Sequence, residues 1–596
     1  MNNSLFSGMA KNSKKIAICL GIIIVAAFIV RSYNFEDWLF FKMDQARDAI
    51  LISKAFENGP SELPLLGPKA GGTFLRVGPA FYYFQYLSTK ISNSTNPTVF
   101  AYPDLFFSIL TIPLLFFFLR KFFSINWSLA LTFIFSFSFL ATEYSRFAWN
   151  PNSVPFFNLL FFYSLLEIFD KNKERRNFLW TVVAGLSFAV STQLHFVSFI
   201  SLPLITLCFI LIRFKHIKKS INWKVVLLFF GAVIFLYIPM ILSELITKWD
   251  SVHQFLASIE NKSSDHPIGK KILRDVYYFG YYYFMIWTGG VGKRMILIWA
   301  SEFAILFSLV VNFFLLKKEK DGNKRNFLWL SILCFSVYFL VYIPLAYDIR
   351  PRFFLPMLHL PFIFLGYFGY LLTSGKITDK YLLLRKIIVA FVLIAAFLGN
   401  IYGIFVWYGE MRNSERGVTL KPRRTIILKG IDGITWWHTQ KVAEYIHTDC
   451  QEKNIGILIS GKELKSPINY ALKQLGNTKR TFFDDALLSD SCYYIVKKTR
   501  GSIPEKTEKD FVPGKPNEFG DITVMRAEIK YPEKINSESS TIENQNLLQD
   551  EEGIDENAED LDDSKSKKTK NKNSSEGEGL PKQPRYYWKD VFSRLF

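Results

Sequence analysis

Cysteine is scarce and scattered in this chain, and that scarcity excludes more than it suggests. The five cysteines stand at 19, 208, 334, 450 and 492, with no CxxC and no His/Cys cluster at metal-ligand spacing. Neither a zinc site nor a disulfide framework is implied. Only Cys450 and Cys492 share a polar region in which a single bridge is conceivable. No glycine-rich phosphate loop is found, so nothing points to a nucleotide-bound donor or cofactor. No internal repeat is visible, whereas transporters of this size commonly show repeated halves. The first apolar segment lacks a small-residue cleavage site, so it reads as an anchor and not as a removed signal peptide.

What the chain has in abundance is apolar and aromatic mass. Half of its 596 residues are hydrophobic, 17% are aromatic, and 60 are Phe. Phe, Leu and Ile come in blocks of roughly twenty residues, the length a helix needs to cross a bilayer core. After a first span over Ile16–Val30, spans are expected near 98–119, 125–143, 153–169, 177–194, 196–213, 223–245, 295–316, 326–346, 352–373 and 385–406. The net charge of +19 would suit a polyanion partner, but much of it sits in short loops between the apolar blocks. Every second connection is basic: Lys11–Lys15, Arg120-Lys121, Lys171–Arg176, Arg213–Lys219, Lys317–Arg325 and Lys376–Lys386. That alternation predicts eleven spans, a cytoplasmic N-terminus and an extracytoplasmic C-terminal region in a multi-pass protein of the cell membrane.

Three long segments then lie outside: residues 31–97, residues 246–294, and everything after about 407. The first opens with Asp44 and Asp48, four apart and so on one face if helical. Apolar residues between them suit a helix of residues 44–57 lying along the membrane surface. Two readings stand for the acids: a base held at the interface for a lipid-linked substrate, or a solvated helix face. The second segment carries the aromatic run Tyr277–Phe284, which reads as an interfacial belt before it reads as a sugar or lipid platform. The third begins as a small α/β domain over 407–532, with helix expected at Trp437–Asp449 and Ser466–Leu475 and strand at Ile455–Ile459 and Tyr493–Val496. Residues 533–596 turn to Ser, Glu, Asn, Asp and Lys and are expected to be disordered and dispensable for chemistry. Their end, Arg585 to Phe596, is amphipathic enough to touch a membrane.

Polar residues at external span ends carry the remaining information. Glu143 and Arg146, followed by Asn150-Pro151-Asn152, sit in a tight membrane turn, where charge is costly unless paired or facing a wet cavity. They either pair with each other or line that cavity. Arg350 and Arg352 lie in a short external loop against the positive-inside bias. Their guanidinium forks match phosphate oxygens at headgroup depth; the plainer reading is an ion pair with Asp348. His195 and His359 are single intramembrane histidines, better suited to interhelical hydrogen bonds than to ligation.

These residues resemble a family. The acidic first external loop, the Gly78-Pro79-Ala80-Phe81-Tyr82-Tyr83 segment later in it, and the Arg352-Phe353-Phe354-Leu355-Pro356 element entering a late span look like the GT-C glycosyltransferases. The resemblance spans roughly residues 10–406 and is closest to bacterial relatives of protein O-mannosyltransferases and the lipid A aminoarabinose transferase. It implies an α-helical GT-C membrane domain over 1–406, carrying the small external α/β domain and the charged tail. It also implies an inverting transfer of a sugar from a polyprenyl-phosphate donor to an acceptor hydroxyl on a protein, lipid or glycan at the outer face. Asp44 takes the family's catalytic place, Gln45 stands where a second acid is usual, and Asp48 is the candidate substitute. Arg350 and Arg352 would hold the donor phosphate, and Tyr82, Tyr83, Glu143, Arg146 and Asn150 would line the substrate cavity. Asn150-Pro151-Asn152 stands where the second external loop often offers another Asp. No cofactor, metal ligand set or nucleic-acid partner is expected, and a divalent metal is left open. A flippase for lipid-linked saccharides and a polysaccharide polymerase are the alternatives.

Overall fold

The computed structural model describes the chain apart from residues 1–2, 71–74, 171–176, 250–252, 254–265, 291–294, 348, 374–380, 416–433, 451–452, 477–480, 484–486, 489, 500, 533–584 and 596. Asp348 and residues 533–584 of the charged tail, both subjects of sequence expectations, therefore lie outside the described residues.

The membrane domain is a helical bundle. In chain order it comprises α1 (Asn3–Ser32), α2 (Met43–Asn58), α3 (Ala80–Ser92), α4 (Pro97–Leu119), α5 (Ile125–Ser136), α6 (Phe139–Tyr144), α7 (Val154–Ile168), α8 (Asn177–Leu194), α9 (Phe196–Ile217) and α10 (Trp223–Thr247). It continues with α11 (Ile268–Thr288), α12 (Met295–Lys318), α13 (Gly322–Tyr342), α14 (Leu360–Thr373) and α15 (Leu382–Glu415). Among the described residues eight of these are long and apolar enough to cross a membrane, and a bent pair, Pro351–Met357 with α14, makes a ninth. The shorter apolar helices α5 and α7 fall on two further expected spans. This is a multi-pass membrane protein. Large apolar side chains such as Ile22, Ile29, Phe303, Phe391 and Phe405 stay exposed on these helices, as expected where the solvent is lipid.

Two expected spans are broken, each for a local reason. The one over 125–143 stops after Ser136 and restarts at Phe139. The Phe139 N–H freed by the break donates to Asn400 Oδ1 of α15 at 2.8 Å, while Asn400 Nδ2 donates to the Ile286 and Trp287 carbonyls. One buried amide thus satisfies backbone from two other helices, α6 and α11, which the absence of water at this depth requires. The other, 352–373, enters as a 3₁₀ turn over Pro351–Met357 and bends by 60° into α14. Pro356 removes a donor there, and its carbonyl accepts from Asn158 Nδ2 at 3.0 Å.

Residues 246–294 are not simply a loop outside the bundle. Within them α11 packs against α12 and α15, and Tyr278, Phe279, Tyr282, Tyr283 and Phe284 are buried. The aromatic run is therefore a packed helix face and not a surface belt. Its 21 residues fall short of the hydropathy of a span because Lys270, Lys271, Arg274 and Asp275 crowd its first half.

The second unit is α/β, with α16 (Trp436–Asp449), α17 (Lys465–Gln474) and α18 (Glu505–Asp510). Its strands are β1 (Asn454–Ser460), β2 (Thr481–Phe482), β3 (Ser491–Lys498), β4 (Phe511–Phe519) and β5 (Ile522–Ile529). The sheet order is β2-β1-β3-β5-β4, parallel through β2, β1 and β3 and antiparallel beyond. The four expected elements are all present. Cys450 and Cys492 form a disulfide with Cα atoms 5.9 Å apart. This unit grips the segment after α1. Trp436 and Trp437 N–H donate to the Leu39 and Asp37 carbonyls, Tyr470 Oη donates to the Thr95 carbonyl at 2.6 Å and meets Ser53 Oγ at 3.0 Å, and Trp436 packs edge-on against Phe41.

Candidate active site

Helix α2 follows α1, packs against α17 of the α/β unit and carries both acids. One guanidinium joins them. Arg47 Nη1 lies 3.0 Å from Asp44 Oδ1, and Arg47 Nη2 lies 2.9 Å from Asp48 Oδ1. The i, i+3 spacing of Asp44 and Arg47 brings the first pair together on the helix surface. The acids nonetheless differ in kind. The Asp44 side chain keeps 21% of its exposure, whereas that of Asp48 keeps 2%. Asp48 Oδ1 also accepts the Tyr82 hydroxyl at 3.0 Å. Burial raises the Asp48 pKa and the nearby Asp44 charge adds to that, while the charge and hydrogen bonds of Arg47 and the Tyr82 hydroxyl work against it. Asp48 Oδ1 is thus occupied within a nearly fully buried side chain, and Asp44 is the more exposed of the two acids.

Tyr82 is delivered by the Gly78-Pro79 turn. The Gly78 N–H donates to the Gln193 carbonyl at 3.1 Å, and a Cβ at Gly78 would fall 2.2 Å from Gln193 Cγ. Only glycine fits this approach of backbone to helix α8. Tyr83 points away from Asp48, donating to the Pro64 carbonyl at 3.1 Å and accepting the Trp588 indole at 2.9 Å.

The second half of the site is the turn after α6. Gln45 Nε2 donates to the Ala148 carbonyl at 3.2 Å and so fastens α2 to this turn. The next residue, Trp149, carries the Arg352 guanidinium over its ring at 4.9 Å, a cation–π contact. Tyr144 is within electrostatic range of both Glu143 and Arg352, and Tyr282 of both Tyr144 and Arg350. The packed face of α11 therefore reaches Arg350. A short path of covalent bonds, one hydrogen bond and one cation–π contact, Asp44-Gln45 to Ala148-Trp149 to Arg352, links α2 with the late 3₁₀ turn.

Other expected residues stand elsewhere. Arg146 donates to the Arg31 and Asn34 carbonyls at 2.7 and 3.1 Å and lies among the rings of Phe35, Trp407 and Tyr408. It clamps the end of α1 to α15, at about 1.5–3 kcal/mol per charge-assisted bond. Asn150 Nδ2 donates to the Leu194 carbonyl at 2.7 Å. Glu143 is buried at the turn. His195 Nδ1 caps α9 by accepting from Val197 N–H at 3.2 Å, and His359 is buried between the rings of Phe118 and Phe162. Among the described residues no three His, Cys, Asp or Glu side chains gather as a metal site.

Asp104 was not expected to matter. It sits inside α4, 1% exposed, and accepts from Trp149 N–H at 3.0 Å and from Ser153 Oγ. A lone acid within an apolar span was the available signal.

Residues 18–255 match the family described as dolichyl-phosphate-mannose-protein mannosyltransferase. That stretch includes Asp44, Asp48, Tyr82, Tyr83, Glu143, Arg146 and Asn150 and stops short of the two late arginines. The structure aligns with ArnT from Cupriavidus metallidurans bound to undecaprenyl phosphate at a TM-score of 0.52 and 9% identity, over 85% of this chain and 97% of that one. The chain has the GT-C fold. ArnT in the apo state aligns equally well, at a TM-score of 0.51 and 10% identity over 87% and 98% of the two chains. The oligosaccharyltransferase AglB from Archaeoglobus fulgidus aligns more loosely, at 0.46 and 11% identity over 87% and 75%. No curated protein matches by sequence. Family match and GT-C fold together support a membrane glycosyltransferase.

Proposed function

We propose that this protein is an inverting glycosyltransferase that moves a sugar from a polyprenyl-phosphate donor to an acceptor hydroxyl at the outer membrane face. The observation that carries the reading is the division of labour on α2: Asp44 open, Asp48 buried, and Arg47 bridging them. Asp44 takes the acceptor proton as the oxygen attacks the anomeric carbon, a step worth roughly 10²- to 10⁴-fold. The bond to the lipid phosphate breaks as the glycosidic bond forms, and one displacement inverts the configuration. Arg350 and Arg352 stabilise charge on the departing phosphate, a preorganised electrostatic contribution. Undecaprenyl phosphate in the ArnT structure supports a lipid phosphate as the donor's leaving group. The Cys450–Cys492 disulfide supports an extracytoplasmic α/β unit, since such bonds persist in oxidising compartments.

The test is transfer from undecaprenyl-phosphate-linked sugars by the purified protein in nanodiscs. Release of undecaprenyl phosphate with inverted product is expected. Binding of the lipid with no transfer to any hydroxyl acceptor, together with vectorial movement of it, would replace the enzyme by a flippase.

A further inference from the structure

The segment Arg585–Leu595 is folded against the candidate site. Sequence reasoning assigned it to a disordered, dispensable tail. Instead, Tyr587 forms an antiparallel bridge with Pro64, Leu65 N–H donates to the Tyr586 carbonyl at 2.9 Å, and Trp588 N–H donates to the Leu63 carbonyl at 3.1 Å. The Trp588 indole donates to Tyr83 Oη. Lys589 reaches both Glu62 oxygens at 3.0 Å, and Val591 is buried. These are backbone pairing, an aromatic anchor and an ion pair on one short peptide, a combination that a passing contact does not produce.

What this docking delivers is Arg585. It lies within electrostatic range of Asp48, Tyr82 and Arg47, and Tyr82 in turn senses Arg585, Arg47 and Arg76. The Arg585 Nε is buried and has no hydrogen-bond partner among the described residues. Three guanidinium groups thus surround Tyr82, and two of them, Arg47 and Arg585, also face Asp48. Asp44 and Asp48 offset two of them, and the excess positive charge suits a phosphate.

We propose that Arg585–Leu595 is a working part of the site: it seals the wall formed by Leu63–Leu65 and Tyr83 and brings Arg585 as a positioning residue that holds Asp48 and adds positive charge for the donor's phosphate. This rests on the lipid-phosphate reading above.

The experiment uses full-length protein in nanodiscs with undecaprenyl phosphate as the probe, its affinity read by native mass spectrometry and amide exchange followed in parallel. Arg585→Gln and deletion of 585–596 should each weaken the lipid about tenfold, the loss of one charge-assisted contact. Arg585→Lys should recover part of that, and the deletion should speed exchange at Leu65. Arg352→Ala separates the two ideas. If the wild type binds and Arg352→Ala weakens it while Arg585→Gln binds as the wild type does, the role of Arg585 is refuted and the donor reading stands. If the wild type does not bind the lipid, the donor reading fails and takes the phosphate role of Arg585 with it. Tighter binding after deletion would make the segment an inhibitor of the site and overturn the proposal. Unchanged exchange at Leu65 after deletion would mean that the segment does not dock.

Discussion

The contrast between Asp44 and Asp48 yields the sharpest prediction. Asp44→Asn keeps the shape and leaves an oxygen for Arg47, but the amide cannot take a proton at neutral pH. Transfer should fall by two to four orders of magnitude, about 2.7–5.5 kcal/mol on the barrier. Stability should change little, because the amide keeps the side chain's shape and an oxygen that still accepts from Arg47. Asp48→Ala should do the reverse. It strips a nearly fully buried carboxylate from Arg47 and Tyr82, and breaking a buried pair from one side costs about 3–5 kcal/mol. The assay pairs transfer from an undecaprenyl-phosphate sugar in nanodiscs with thermal unfolding of the same preparations. Near-normal turnover in Asp44→Asn would refute the reasoning. So would a large drop in melting temperature there, since the lost activity would then report damaged structure.

The remaining expectations are more local. Arg352→Lys keeps the charge but loses the planar stack on Trp149, so it should weaken donor use, and Arg352→Ala more so; equal donor KM across the series would make the arginine structural. Asp104→Ala strands the Trp149 N–H and the Ser153 hydroxyl in the interior and should cost about 1–3 kcal/mol for each buried group left unsatisfied; unaltered thermal stability would show that water takes the carboxylate's place. Single cysteines at Asn517 and Asn261 should react with an impermeant thiol reagent on intact cells, and one at Asn172 should not; the opposite pattern would invert the topology.

The bundle was largely legible in the sequence because lipid imposes long apolar helices, and block length reads that constraint directly. Its breaks were not. Nothing near Ser136 announces that a span stops there, since the partner that permits it, Asn400, lies in another helix. Helix α11 was missed as a bundle member because Lys270, Lys271 and Arg274 dilute its hydropathy. In the candidate site, Asp44 and the paired arginines were visible through spacing and position. The different fates of Asp44 and Asp48 were not, because a four-residue interval states that two side chains share a face and not which of them a tyrosine from residue 82 will cover. Gln45 read as a missing acid and is an anchor. Arg585 was out of reach altogether: composition marked its surroundings as unstructured, and its partners lie more than five hundred residues earlier.

The clamps on the segment between α1 and α4 also fix when that segment can take shape. Leu39, Asp37, Thr95 and Leu65 find their partners in Trp436, Trp437, Tyr470 and Tyr586, and the Tyr470–Thr95 bond alone closes a gap of 375 residues. A chain made from its N-terminus emerges with α2 hundreds of residues ahead of the groups that hold it. The acids of α2 are therefore made well before the groups that set them in place, and long-range closure of this kind is the slow part of folding. Until then the membrane contains a helical bundle whose chemistry has yet to be assembled.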